Sequence, residues 1–111
     1  MSVEVQRHKT AIGRPALSLP AKLLFQSGLV TDETSVLDYG CGRGDDVKFL
    51  KELGIPAVGW DPHFIPNPAL LVPHDIVNLG FVLNVIEDPA ERQTVLTDAY
   101  TLTNKCLSVS V

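Results

Sequence analysis

The run "VLDYGCGRGDD", residues 36 to 46, constrains the fold more than any other stretch of this chain. An apolar, β-branched segment leads into three glycines at alternate positions and then into two aspartates. "SVLDYG" has the character of a short strand buried on both faces. "DDVKFLKELG" places Val47, Phe49, Leu50 and Leu53 at helical spacing, with aspartates in the first turn, where the macrodipole favours them, and Gly54 as a stop. Strand, glycine turn and helix make the first half of a βαβ unit. That unit commits the chain to an open, mainly parallel sheet with helices on its faces.

The remaining segments extend the same alternation. "SLPAKLLFQSGL" carries a cap-type serine, a proline in the first turn and Gly28 near its end, and reads as a short amphipathic helix. "TDET" is a turn, and "PAVGWD" supplies a second strand, parallel and adjacent to the first. "PHFIPNPALLVPH" holds four prolines and reads as a loop with one helical turn. "DIVNLGFVLNVI" begins as a third buried strand and bends at Gly80. "EDPAERQTVLTDAYTLT" is a helix with Asp88 as N-cap, Pro89 at its first position and Glu91 completing a capping box, and "KCLSVSV" is a fourth strand.

Charge divides the chain into two parts. Residues 1 to 22 hold Arg7, Lys9, Arg14 and Lys22 against Glu4, leaving five cations and twelve acids for the remainder of a chain whose net charge is −4. Residues 1–17 are accordingly read as a basic arm able to meet phosphates, and residues 18–111 as the folded domain. No apolar run approaches 18 residues and the first ten lack the pattern of a signal peptide, so no membrane span is expected and the expected location is the cytoplasm, with Cys41 and Cys106 reduced. The three histidines and two cysteines show no metal-ligand spacing, so no metal is expected.

The glycine turn stands at the carboxyl end of the first strand, where open α/β sheets hold their ligands. Glycine is required there because the backbone turns tightly and a ligand approaches it closely. The dinucleotide fingerprint G-x-G-x-x-G fits at its first two glycines only; Asp45 stands at the third. A pyrophosphate on this helix N-terminus would meet Asp45 and Asp46 with Asp38 nearby, and three carboxylates repel it. A P-loop is excluded by the missing Gly-Lys-Ser/Thr. A ligand with positive charge suits the turn. S-adenosylmethionine carries a sulfonium and an ammonium, and Asp61, at the end of the second strand, stands where an acidic residue accepts from ribose hydroxyls.

With "LDYGCGRG" and "GWDP" the sequence resembles the class I S-adenosylmethionine-dependent methyltransferases, and "DIVNLGFVLNVIEDPAERQTVL" is similar to their fourth-strand region. "RHKTAIGRPALSLPAKLL", "DYGCGRGDDV", "GWDPHFIP" and "NLGFVLNVIEDPAER" together are most similar to the N-terminal part of the DNA phosphorothioation-associated methyltransferases. The resemblance implies an α/β, partial Rossmann-like methyltransferase fold comprising strands 2-1-4-5 of the superfamily sheet, the N-terminal portion of a longer domain. It implies S-adenosylmethionine as cofactor, held by Asp38, Tyr39, Gly40, Cys41, Gly42, Gly44, Asp61, Pro62, Asn78 and Leu79. Trp60 and Phe64 are candidates for packing beside the adenine, and His74 and Asp75 for its amino group.

The methyl acceptor and any catalytic base stay open. "NLGF", residues 78 to 81, matches the Asn and Phe of the Asn-Pro-Pro-Tyr/Phe motif of amino-directed DNA methyltransferases but not its middle, and Asn84 stands where related enzymes place a histidine. Three readings follow: a methyltransferase linked to DNA modification, a noncatalytic binding module that contacts nucleic acid through the basic arm, and, disfavoured by the glycine spacing, a nicotinamide dehydrogenase.

Overall fold

The computed structural model describes residues 17–111, so the basic arm expected over residues 1–17 lies, but for Leu17, outside the described residues. Helix α1, Leu19–Gln26, begins where Ser18 caps it by accepting from the Ala21 N–H, with Pro20 in the first turn. Thr31 and Thr34 then close the turn to strand β1, Val36–Tyr39, through the Thr34 N–H to the Thr31 carbonyl (3.1 Å) and the Thr31 N–H to Thr34 Oγ1 (3.1 Å). Helix α2, Asp45–Glu52, follows the glycine turn, and strand β2, Ala57–Trp60, lies beside β1. Residues 61–73 form a loop with one 3-10 turn, Pro68–Leu70. Strand β3, His74–Gly80, helix α3, Pro89–Thr101, and strand β4, Thr103–Ser110, complete the order.

The four strands form one all-parallel sheet in the order β2-β1-β3-β4, the arrangement expected of a partial Rossmann-like fold. Alternation along each strand divides its side chains between two apolar layers. Val36, Ala57 and Ile76 face α1 and α2, meeting Leu24, Val47 and Leu50; Leu37, Val77 and Leu79 face α3, meeting Ala99, Val95 and Leu96. Asp38 and Asn78 belong to the α1/α2 face, one layer above Val36 and Ile76 toward the carboxyl end.

Two local readings need correction. The chain leaves β3 one residue later than expected: Gly80 is still in the strand, and Phe81 adopts the left-handed conformation (φ 62°) while its N–H donates to the Ser110 carbonyl (2.9 Å). The β4 register thus holds the strand straight through the glycine. At α3, Asp88 caps the helix by accepting from the Ala90 N–H (3.0 Å), one residue short of the Glu91 N–H that a capping box uses.

No helix among the described residues is long and apolar enough to cross a membrane, and no group of three or more His, Cys, Asp or Glu there is arranged to hold a metal ion.

Candidate functional site

The turn from β1 to α2 is built on left-handed glycines, with φ of 81° at Gly40, 59° at Gly42 and 87° at Gly44, which caps α2. A β-carbon on Gly40 would lie 2.6 Å from Cγ2 of Val82, so this glycine is bare because the segment after β3 packs against it. A β-carbon on Gly42 would meet nothing within 4 Å among the described residues. Of these two, Gly42 is the one that faces open space where a ligand can approach.

Most of the turn's N–H donors are engaged by the protein itself. Gly40 and Cys41 both donate to the Trp60 carbonyl (2.7 and 3.0 Å), Gly44 donates to the Cys41 carbonyl (3.0 Å), and Gly42 donates to Asp61 Oδ2 (2.9 Å). A phosphate needs such donors free. This turn therefore disfavours a pyrophosphate by its hydrogen bonding as well as by the aspartates that open α2.

Asp61 is the clamp of the site. Its Oδ1 accepts from the N–H groups of His63 (2.9 Å) and Phe64 (3.0 Å), forming a tight turn after β2, while Oδ2 reaches across to Gly42. Each carboxylate oxygen offers two lone pairs, so one acceptor position on Oδ2 remains. That position is open to one further hydrogen-bond donor. Pro62 follows directly and is exposed.

Asp38 is 7% exposed and pairs across the β1–β3 register with Asn78, which is 3% exposed and donates from Nδ2 to Asp38 Oδ1 (3.2 Å). This fixes the Asn78 amide with its Oδ1 turned away from the carboxylate, buried and without a hydrogen-bond partner among the described residues. A buried acceptor without a donor costs about 1–3 kcal/mol, so it marks a position where a donor group belongs. Leu79 is wholly buried on the opposite face, against α3. Tyr39 lies on that face too, its ring 4.9 Å from the Trp60 ring.

The other two aspartates have different surroundings. Asp46, 6% exposed, accepts from the Ser18 N–H (2.8 Å) and the Ser18 hydroxyl (2.5 Å), joining the second residue of α2 to the cap of α1. Its charge, which the sequence assigned to cofactor selection, serves to dock one helix on the other. Asp45 keeps one buried oxygen, Oδ2, without a partner. Sequence reasoning missed both the Ser18–Asp46 contact and the Asp61–Gly42 bond, because neither has a local signature. Asn84 is exposed in the 3-10 turn Leu83–Val85, and His74 and Asp75 lie at the start of β3, at the end of the sheet away from the turn.

Cys41 feels the charges of Asp38 and Asp61. Burial, reinforced by Asp38 and then Asp61, pushes its thiol up from an ordinary 9.0 to about 12. At pH 8 its alkylation by iodoacetamide is expected to run roughly a thousandfold below that of a free cysteine, since the thiolate is the nucleophile. The folded pKa is raised, so the group supports the fold fully below pH 9 and that support falls away as pH climbs toward 12. Rapid labelling of Cys41 in the native protein at pH 8 is the opposite result.

No protein-family profile, curated protein or solved structure matches this chain, so its assignment rests on the site itself and on the motifs that the sequence carries.

Proposed function

We propose that this chain binds S-adenosylmethionine at the glycine turn and belongs to a methyltransferase, with an acceptor tied to DNA modification. The observation that carries the reading is the buried, unpartnered Oδ1 of Asn78 beside the Asp38 carboxylate. Acceptors and negative charge converge there, which suits an ammonium or a sulfonium and repels a pyrophosphate. The turn supports the same choice, with its donors engaged and open space over Gly42. The link to DNA modification rests on the resemblance of the motifs at residues 7–24, 38–47, 59–66 and 78–92 together.

Bound there, the cofactor supplies an electrophilic methyl group for in-line displacement by a nucleophile. The residues of this chain bind and orient. Asp38 and Asn78 fix the cationic amino-acid end, Gly42 admits it, and Asp61 accepts from the ribose through the free site on Oδ2. Burial of the Asp38–Asn78 pair keeps water from competing for these contacts.

Titration calorimetry of the folded chain tests the reading with three ligands. S-adenosylmethionine and S-adenosylhomocysteine are expected to bind, and NAD is not. Asn78→Leu should weaken binding of both by about tenfold or more, the consequence of a lost buried hydrogen bond. Asp61→Ala should weaken it similarly and also loosen the turn, because three N–H groups lose their acceptor. Absence of heat with both methionine-derived ligands, in a sample that melts cooperatively, sinks the proposal; tighter binding of NAD replaces it with the dehydrogenase reading.

A further inference from the structure

A groove of about 450 Å³ runs between α2 and the loop that follows β2, lined by Arg43, Gly44, Val47, Lys48, Lys51, Glu52 and Ile65. Its composition departs from that of the chain around it. Among residues 17–111 there are six Lys and Arg, at 22, 43, 48, 51, 92 and 105, and half of them line this one groove with a single acid. The protein as a whole carries −4. A concentration of cations inside an acidic chain points to an anionic partner.

An aromatic ring stands beside the groove, against the Arg43 that lines it. The Arg43 guanidinium lies 4.7 Å over the Phe64 ring, and His63 meets that ring edge-on with centroids 4.6 Å apart. Phe64 is 41% exposed, although its N–H is tied to Asp61. Val47 and Ile65 contribute aliphatic surface to the lining. Lys48 and Lys51 are both exposed and lie three residues apart on α2, so they stand on one side of the helix about 5–6 Å from each other at their β-carbons. Cations at such spacing beside an exposed aromatic ring match successive phosphates of a strand with a base between them. An isolated phosphate has no use for the ring. An acidic peptide would pair with the cations and leave the exposed ring unused. A double helix keeps its bases stacked inside and leaves the ring unused.

We propose that this groove binds a single-stranded nucleic acid segment, with Arg43, Lys48 and Lys51 meeting its phosphates and Phe64, backed by Arg43, stacking one base. This reading shares Gly44 and Phe64 with the residues named for the cofactor, and Lys48 and Lys51, which belong to this reading alone, separate the two in a test.

The test is fluorescence anisotropy of the full chain with labelled twelve-nucleotide oligothymidine, the same length of duplex, and unlabelled polyglutamate and inorganic phosphate as competitors. Three phosphate contacts predict a slope of about −2 for log affinity against log salt. Lys48→Glu with Lys51→Glu should lower affinity at least tenfold and flatten that slope by more than about 1. Phe64→Ala should lower affinity about tenfold and leave the slope unchanged, because stacking releases no counterions. Removing the cations at Arg7, Lys9 and Arg14 should preserve the dependence on Lys48 and Lys51. The proposal is overturned if no single strand binds, if the double lysine variant binds as the parent does, if the duplex binds equally well, or if polyglutamate or phosphate competes as strongly as unlabelled oligothymidine. Circular dichroism of each variant confirms that the fold is retained.

Discussion

Gly40→Ala is expected to cost this protein a large part of its stability. The new methyl group would stand 2.6 Å from Val82 Cγ2, inside van der Waals contact, at a backbone φ of 81°. The left-handed conformation alone costs an L residue roughly 1–2 kcal/mol. Overpacking adds about 1–3 kcal/mol, and Val82 is β-branched, so it has few rotamers to retreat into. Together these approach half of the roughly 5–15 kcal/mol that stabilises an ordinary domain. Thermal unfolding followed by circular dichroism should show a fall in Tm of about 10 °C or more. Adding Val82→Ala should recover part of the loss, since it removes the clash and leaves the backbone term. A single variant that melts within about 2 °C of the parent would refute the contact between the turn and the segment after β3.

Gly59→Ala tests the same site from the neighbouring strand, and here sterics act alone. Gly59 has no left-handed φ, yet a β-carbon would lie 2.6 Å from Cys41 Sγ, 2.9 Å from Cys41 Cβ and 2.9 Å from Val47 Cγ2. All three atoms belong to the turn and the first turn of α2, and β2 is fixed on β1 by its register with Asp38. Something must move, and the movable element is the glycine turn. A loss of about 1–3 kcal/mol is expected, together with weakened binding of S-adenosylhomocysteine. Gly42→Ala serves as the internal control: it meets no atom within 4 Å, so only its backbone conformation is strained. A Gly59 variant that melts within about 2 °C of the parent would contradict the packing of Cys41 over β2.

The parts of this fold that were legible in the sequence are those whose cause lies within a few residues. The Ser18 cap, the Asp88–Pro89 start of α3 and the strand–turn–helix run each carry their own signal, and the crossover rule then orders β1 and β2. What was not legible joins residues far apart along the chain. Asp46 and Ser18 are 28 positions apart, Asp61 and Gly42 19, and Asn78 and Asp38 40. A carboxylate beside a glycine turn reads the same whether it faces a ligand or a serine, because only the packed helices decide. Asp46 illustrates this: the sequence placed it correctly at the start of α2 and could not see that α1 would supply its donors. Phe81 is a related case, where pairing with β4 overrides the local preference for glycine at a bend.

The glycine turn has no existence before the sheet does. Its first N–H groups are held by the end of β2, and Gly40 is pressed by a valine that follows β3, so every strand as far as β3 must have docked before the loop takes its shape. Parallel pairings between segments about 20 and 40 residues apart form late, after the entropy of closing those loops has been overcome. A ligand that recognises this turn therefore binds the finished architecture and ignores partly folded chains. Each mole bound counts a correctly assembled molecule, and ligand saturation should slow global unfolding in proportion to affinity, well beyond local protection of the loop.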